Sequence, residues 1–417
     1  MIEEVQIDHI GAGGDGVAKT PHGAVYVPFT LPTEIANIAC QNNQGTLIAL
    51  KTRSSERVDP TCKHFEECGG CALQHWQDTA YQGWKRSLVS DAMQGRGIDT
   101  QIAPLHPCEK HTRRRMTLTA RVTPKGQVVG FNRYGSHDVV AIEECPVSRP
   151  ELVDSILQVK VLCGLLANYA KELHITVTLA ENGLDIAIFG CRIDDEQLRQ
   201  RLINECLKRP ITRLSVEGEI IIEKEKPIIH FSSVAVELAS GGFLQATKEA
   251  EDFMAGLVMD GLKKTKYVAD LFSGSGTFAF RLAEKMKVHA VEYDADALKS
   301  FDRAMRNAHG LKEISYEKRD LFRRPLTAKE LENFDGIVFD PPRAGAEEQA
   351  REIAKTSIPR IVAVSCNPVT LARDIAILQE GGYKVEKIIP IDQFLWSPHV
   401  ETIAILSKRK PKPGWRL

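Results

Sequence analysis

Several features that would narrow the class of this chain at once are missing. No stretch approaches the roughly 18 consecutive apolar residues that suggest a membrane span. The start, "MIEEVQIDHIGAGGDG", has neither the basic flank nor the continuous apolar core of a secretory signal. A cytoplasmic protein with no membrane contact is therefore expected. No internal repeat and no low-complexity tract occurs. Net charge is nearly absent, at −1 from 54 Lys and Arg against 55 Asp and Glu, so attraction to a polyanion has to come from local patches. The remaining composition, 43% hydrophobic and 26% charged over 417 residues, is that of a soluble globular chain of two or three domains. Ten cysteines in such a setting point to metal binding, catalysis and burial rather than to disulfides.

What is present falls into three runs, 1–54, 55–240 and 241–417. The first holds short β-like stretches punctuated by glycine, "GAGGDGVAK" and "VYVPFTLPTE" among them, as in a small five-stranded barrel, and no catalytic constellation. The second opens on clustered cysteines and continues as mixed helix and strand. Its strongest helical pattern is "ELVDSILQVKVLCGLLANYAKEL", and "ITVTLAENGLDIAIFG" reads as a hairpin turning at Asn182-Gly183. In the third, strands and helices alternate from "YVADLF" through "GIVFD" to "RIVAVSC", which predicts a parallel sheet covered on both faces. "YKVEKIIPIDQF" and "VETIAILSKR" then form an antiparallel hairpin. The fold class is α/β, with a barrel and a central α+β segment in front.

Two features of the middle run bear on binding. Between His111 and Gly135 stand Arg113, Arg114, Arg115, Arg121, Lys125 and Arg133 with no acidic residue, and Phe131 and Tyr134 lie close to the last. Cations suit phosphates and aromatic rings suit unstacked bases, so RNA is a candidate partner; the plain alternative is the solvated edge of a two-stranded ribbon. Cys62, Cys68 and Cys71 are spaced C-x5-C-x2-C in "CKHFEECGGC", and Cys145 follows in "EECPV". Three close thiols and one distant thiol can surround a four-iron cluster, with glycines letting the backbone approach the inorganic sulfides, and four thiolates also suit zinc. Cys40, Cys108, Cys163, Cys191 and Cys206 read as structural.

In the last run, "YVADLFSGSGTFAFRLAEK" leads a strand into a glycine-rich turn and a helix from about Thr277, an arrangement that admits a ligand close to the backbone. The next strand ends at Glu292, placed to accept hydrogen bonds from ribose hydroxyls. "EKRDLF" supplies Asp320 near an adenine position, and "DPPR" ends the fourth strand at Asp340. Acidic strand ends without a phosphate-binding lysine suit S-adenosylmethionine, a cation that carries no phosphate. The fifth strand, "RIVAVSCNPVTLARD", delivers Cys366 to a helix start, with Asn367 as cap and Pro368 at the first helical position. The helix terminus favours a thiolate there; the plain alternative is a small buried hydrophobe.

In seven-stranded methyltransferase sheets the last strand lies between the fifth and sixth, antiparallel to both, which brings Glu401 of "HVETIAIL" to the edge that carries Cys366. Such a pair has a use. Carbon 5 of uracil becomes nucleophilic once a thiolate has added to carbon 6, and after methyl transfer a base must remove the carbon 5 proton. Cys366 fits the first role and Glu401 the second, while Asp340 could orient the uracil or contact the donor.

Through "CKHFEECGGC" with "EECPV", "GGFLQAT", "DLFSGSGTF", "FDPPRAG", "VSCNPVTLARD" and "HVETIAIL", the chain resembles the RNA (uracil-5-)-methyltransferase family, in its iron-sulfur-containing 23S ribosomal RNA branch, over nearly its full length. The start resembles the TRAM module, an oligonucleotide-binding-type (OB) barrel found with RNA-modifying enzymes. The resemblance implies a Rossmann-like seven-stranded class I methyltransferase domain over 241–417, a TRAM-like OB barrel over 1–54, and a central iron-sulfur domain over 55–240. It implies Cys62, Cys68, Cys71 and Cys145 as ligands of a 4Fe-4S cluster, and Gln245, Phe272, Thr277, Glu292, Asp320 and Asp340 as the S-adenosylmethionine site. Cys366 would be nucleophile and Glu401 proton acceptor. Members specific for the transfer RNA T-loop generally lack the cluster and the TRAM module, so ribosomal RNA is the expected substrate, with a monomer and no obligate protein partner. "HTRRRMTL" departs from the aromatic-arginine start usual for that strand. The rival readings are methylation of a transfer RNA uridine, methylation of an exocyclic base amine suggested by "DPPR", and an inactive, redox-sensing iron-sulfur RNA-binding protein.

Overall fold

The structure is a computed structural model that describes residues 2–124 and 126–408; Lys125 and Arg409, both used above, lie outside the described residues. Five strands, Ile2–Ile10, Gly16–Thr20, Gly23–Val27, Ile35–Gln41 and Gln44–Thr52, close a barrel in the order first, second, third, fifth, fourth. Alternate side chains point inward, so that Val5, Ile7, Val25, Val27 and Ile38 fill it. Gly16 is required in its wall, since a Cβ there would lie 2.1 Å from Thr30 Oγ1. Just beyond the barrel, Arg57 donates to both oxygens of the buried Glu34, at 2.6 and 2.7 Å, and ties the next segment to it.

The central sheet has seven strands in the order Glu219–Glu223, Ile211–Val216, Gly183–Phe189, Glu172–Ala180, Arg115–Thr123, Gly126–Asn132, Val139–Ala141. Helices Pro150–Leu166 and Glu196–Leu207 cover its apolar face. The expected helix stops at Leu166, whose carbonyl takes the N–H groups of both Tyr169 and Ala170, and the pattern's last residues open the strand Glu172–Ala180 instead. The hairpin forms one residue away from the expected turn. Ala180 pairs with Gly183, so Glu181 and Asn182 make the loop.

The C-terminal sheet follows the predicted order. Tyr267–Leu271, Lys287–Glu292, Ile314–Lys318, Gly336–Phe339 and Arg360–Ser365 are its first to fifth strands, Lys384–Ile391 its sixth and Glu401–Ser407 its seventh. In space they run third, second, first, fourth, fifth, seventh, sixth. The first five are parallel, and the seventh is antiparallel to both neighbours. Alternation divides the strands between two cores: Val268, Val338 and Val362 pack against helix Lys248–Leu262, while Ala269, Ile337 and Ile361 face helix Pro368–Glu380. The strand order reverses between the first and fourth strands, where sheets of this kind hold their ligands.

An unexpected contribution comes from residues 78–106. Val89, Met93, Ile98 and Ile102, on and after helix Asp78–Gln94, join the second of these cores. The N–H groups of Ala103 and His106 bond to the carbonyls of Ile388 and Pro390, both at 2.9 Å. Beneath them Lys85, with 0% exposure, donates to Asp392 Oδ1 at 2.7 Å and to the Phe394 carbonyl at 2.9 Å. Tyr81 OH donates to Asp392 Oδ2 at 2.8 Å and accepts from the Trp396 N–H at 2.8 Å. Among the described residues no helix is long and apolar enough to cross a membrane.

Removing one partner of a buried ion pair strands the other charge. Lys85→Met should lower the unfolding free energy in urea by about 3–5 kcal/mol. A loss below about 1 kcal/mol, the scale of an exposed pair, would mean that the contact contributes little.

Candidate active site

The first strand leaves Leu271 through a turn that only particular residues can make. Phe272, Gly274 and Gly276 all have positive φ, at 61°, 55° and 103°, and a Cβ on Gly276 would lie 2.4 Å from the Phe280 ring. Glu292, at the end of the second strand, braces this turn. Its Oε2 accepts from Gly274 N–H at 2.8 Å, and its Oε1 accepts from Tyr293 and Asp294 N–H at 2.7 and 2.8 Å. Asp320 caps the turn after the third strand, accepting from Phe322 N–H at 3.0 Å. The Phe322 ring, 47% exposed, lies 5.5 Å from that of Phe272. Thr277 follows the glycine turn half-buried, its carbonyl taken by Arg281. Contacts thus join the ends of the first three strands, from Glu292 to Gly274 and from Phe322, beside Asp320, to Phe272. Phe322 joins them unforeseen, although it closes the quoted "EKRDLF".

Asp340 ends the fourth strand and accepts from Gln245 Nε2 at 3.1 Å. Cys366 ends the fifth, and the cap is as expected: Asn367 Oδ1 accepts from Val369 N–H at 3.1 Å, and Pro368 opens the helix. Ser365 pairs with Thr402, and Ile391 with Glu401. The next step of the first ladder sets Cys366 beside Glu401, which is 2% exposed. Gln393, also 2% exposed and not singled out from the sequence, joins the two halves of the site. It donates from Nε2 to Glu401 Oε2 at 2.7 Å and to Gln245 Oε1 at 2.8 Å.

The electrostatics correct one expectation. Cys366 is not poised as a thiolate. Burial, then the carboxylates of Glu401 and Asp340, push its pKa up to about 11, and nearby Arg343 offsets this only in part. A helix terminus contributes a fractional charge, which two full charges and desolvation outweigh. Burial likewise pushes Asp340 and Glu401 well above the carboxylate range, with Asp340 adding to the effect on Glu401. Asp270, buried in the first strand, is raised too, by burial and then by Asp340.

The arginine-rich stretch needs a second correction, because it is not a free cationic face. Arg114 is buried and paired with Glu251, Arg121 pairs with Glu172, and Arg133 lies 3.8 Å from Glu67. Arg113 turns inward and donates to the Arg115 carbonyl. Tyr134 OH donates to Asp15 of the barrel, and the strands Arg115–Thr123 and Gly126–Asn132 lie inside the central sheet rather than in a ribbon. The buried Arg114 needs a partner, and Glu251 supplies it from a distant part of the chain.

Cys62, Cys68, Cys71 and Cys145 line one cavity of about 240 Å³, together with Arg113 and Leu395. Among the described residues no three His, Cys, Asp or Glu side chains are gathered tightly enough to hold a single metal ion. Gly69 lies against the backbone of Asn132 and Arg133, and Gly70 against Cys68 Sγ.

A seven-stranded sheet of this order, with acidic strand ends around a glycine turn, defines an α/β methyltransferase fold. The sequence profile of the tRNA (uracil-5-)-methyltransferase family matches residues 192–409, and the chain belongs to that family. It is an S-adenosylmethionine-dependent RNA (uracil-5-)-methyltransferase. An RNA methyltransferase of Brucella suis is 56% identical over 406 residues, covering 97% of this chain and 98% of that protein. The 23S rRNA (uracil(1939)-C(5))-methyltransferase of Aliivibrio salmonicida is 29% identical, covering 98% and 96%. The tRNA (uracil-54, C5)-methyltransferase of Pyrococcus abyssi, solved with S-adenosyl-L-homocysteine, shares the fold, with a TM-score of 0.75, 21% identity and coverage of 97% and 99%.

Alkylation of Cys366 by iodoacetamide, followed by peptide mass spectrometry without added methyl donor, should be slow near neutrality and climb toward about pH 11. Glu401→Gln or Asp340→Asn removes a neighbouring negative charge, lowers the thiol pKa, and should speed labelling at about pH 8 several-fold. A rate already flat from about pH 6 upward would mean an ionised sulfur and contradict this account.

Proposed function

We infer that this enzyme methylates carbon 5 of a uridine in 23S ribosomal RNA through a covalent adduct between Cys366 and carbon 6. The observation that carries the reading is the meeting of Cys366, Glu401 and Asp340 at adjoining strand ends beside the cofactor turn. S-adenosylmethionine supplies an electrophilic methyl group and a positive charge. The acidic rim of Glu292, Asp320 and Asp340, with Gln245, Phe272 and Thr277, suits that cation. Cys366 rests as a thiol, so it must lose its proton as it attacks, and the Asp340 carboxylate lies close by as acceptor, which leaves Glu401 unprotonated for the later step. Glu401 then removes the carbon 5 proton, and the thiolate leaves. A base reached from both ring faces has to be flipped out of its helix. Methylation of an exocyclic amine fits less well, because Arg343 stands where a stacking ring would be needed and its guanidinium rests on His399 at 2.9 and 3.1 Å.

Four thiols line one cavity, and we assign Cys62, Cys68, Cys71 and Cys145 to a 4Fe-4S cluster. Bonded at both ends of the segment 62–145, such a group holds the middle of the chain together; uracil methylation needs no electron transfer. The choice of ribosomal over transfer RNA is supported by these thiols, by the TRAM-like barrel, and by the relative that acts on 23S rRNA. The barrel and the sheet beside it are the RNA-binding part, and the enzyme acts in the cytoplasm as a monomer.

RNA with 5-fluorouridine at the target should trap an adduct that survives denaturing gels, since fluorine cannot leave as a proton. Cys366→Ala should abolish it, and Glu401→Gln should form it while turning over normal RNA at least tenfold more slowly, in the range of about 10²–10⁴ for a lost general base. No adduct with the wild type, or an undiminished one with Cys366→Ala, would remove the mechanism. Nucleoside mass spectrometry of ribosomal and transfer RNA from cells lacking the gene identifies the substrate class. Anaerobically purified protein should carry iron and sulfide, and stoichiometric zinc without iron would overturn the cluster.

A further inference from the structure

The reaction needs a base whose one reactive oxygen faces the substrate, and the structure contains a device that selects it. Gln393 Oε1 accepts from the Ala246 N–H at 3.1 Å. A backbone amide can only donate, so the side-chain amide has one allowed orientation, with its NH2 toward Glu401 and Gln245. Its two hydrogens are both used, on Glu401 Oε2 and Gln245 Oε1. The second bond fixes the Gln245 amide in turn, leaving its Nε2 to donate to Asp340 Oδ2. The four side chains form one polar chain in which Gln393 donates both ways, to Glu401 and to Gln245, and Gln245 donates on to Asp340. Its far end is the other carboxylate of the site.

What this chain leaves open is as specific as what it fills. Glu401 Oε2 is occupied, while Glu401 Oε1 is buried and has no hydrogen-bond partner among the described residues. A buried acceptor without a partner is costly unless something arrives to use it. The charged or titratable groups that face it are Asp340 and Cys366. Neither makes a hydrogen bond to it.

We propose that Gln393 is the positioning residue of the base: by holding Glu401 Oε2 it reserves Oε1 as the atom that takes the carbon 5 proton. The proposal rests on the covalent-adduct reading above. In the step it governs, the C5–H bond breaks and the proton passes to Glu401 Oε1. The bonding pair forms the C5=C6 double bond, the C6–S bond breaks, and its electrons return to Cys366 Sγ as thiolate. Without Gln393 the carboxylate is free to rotate, and this step alone should suffer.

Two substitutions test it. Gln393→Met keeps the volume and removes both hydrogen-bonding functions. Gln393→Glu keeps an acceptor for the Ala246 N–H but loses the donor to Glu401, and it decides the matter if the methionine variant does not fold. Each is compared with wild type in three measurements: S-adenosylmethionine affinity, the rate of trapping by 5-fluorouridine RNA, and turnover of normal RNA with gel detection of covalent complex. The expected result is affinity and trapping within roughly threefold of wild type, turnover down tenfold or more, and accumulation of a denaturation-resistant complex on normal RNA. Turnover within about twofold of wild type and no accumulation, in a variant that still traps, would overturn the role of Gln393 and leave the covalent mechanism standing. An equal loss of trapping and turnover would also overturn it, as general damage. Failure of the wild type to trap would instead bring down the mechanism, and this inference with it.

Discussion

A lysine and an aspartate almost without solvent contact, Lys85 and Asp392, hold the loop on which the rest of the site hangs. Taking two charges out of water is expensive, and their attraction compensates only if the remaining hydrogen-bonding positions are filled. Here they are filled. Asp392 also accepts from Tyr81 OH and Phe394 N–H, and Lys85 also donates to the Phe394 carbonyl. The loop 392–400 so anchored faces two ways. Gln393 enters the active site, while Phe394, Leu395 and Ser397 line the four-thiol cavity. The Trp396 carbonyl accepts the N–H groups of Ala72 and Leu73, directly after Cys71. Front and back of the molecule therefore meet on one short stretch of backbone, organised by groups about three hundred residues apart in sequence.

The electrostatics of the site follow from the same economy of cations. Asp270, Asp340 and Glu401 are buried near one another, and each is disfavoured as an anion. Arg343 is the cation noted near Cys366, and it rests on His399. A site with this imbalance binds a cationic ligand well, because the ligand relieves repulsion that is already present. The same charge would bring down the Cys366 pKa. A cysteine held as a thiol is protected from oxidation and from unproductive addition.

Sequence reasoning reached the parts of this site that are local. The cap at Asn367, the glycine turn and the acidic strand ends are each written within a few consecutive residues, and the strand order follows from alternation together with the final hairpin. Cooperation across long separations was not legible. Arg114 reads as part of a cationic patch until Glu251 is seen beside it, and Arg121 until Glu172 is. Helix Asp78–Gln94 has nothing in its pattern to say that it packs on the last sheet. Gln393 is a single polar residue in a loop, with no spacing to mark it. The charge state of Cys366 was misjudged for a related reason: the helix terminus is visible in the sequence, but the burial and the two opposing carboxylates are sums over the folded surroundings.

Register is where these strands of argument converge. Glu401 faces Cys366 because Ser365 pairs with Thr402; a slip of one residue would put Val400 or Thr402 opposite and turn Glu401 to the other face of the sheet. A tight turn would fix such a register by its own geometry, but the loop 392–400 is too long for that, and the sixth strand is itself irregular between Val385 and Lys387. The register has to be fixed from outside the hairpin. Asp392 is pinned by Lys85 and Tyr81 at the start of the loop, and Trp396, at φ 57°, is held in its middle by bonds to Tyr81, Ala72 and Leu73. The placement of Glu401 thus depends on a buried charge pair at the start of the loop that precedes it.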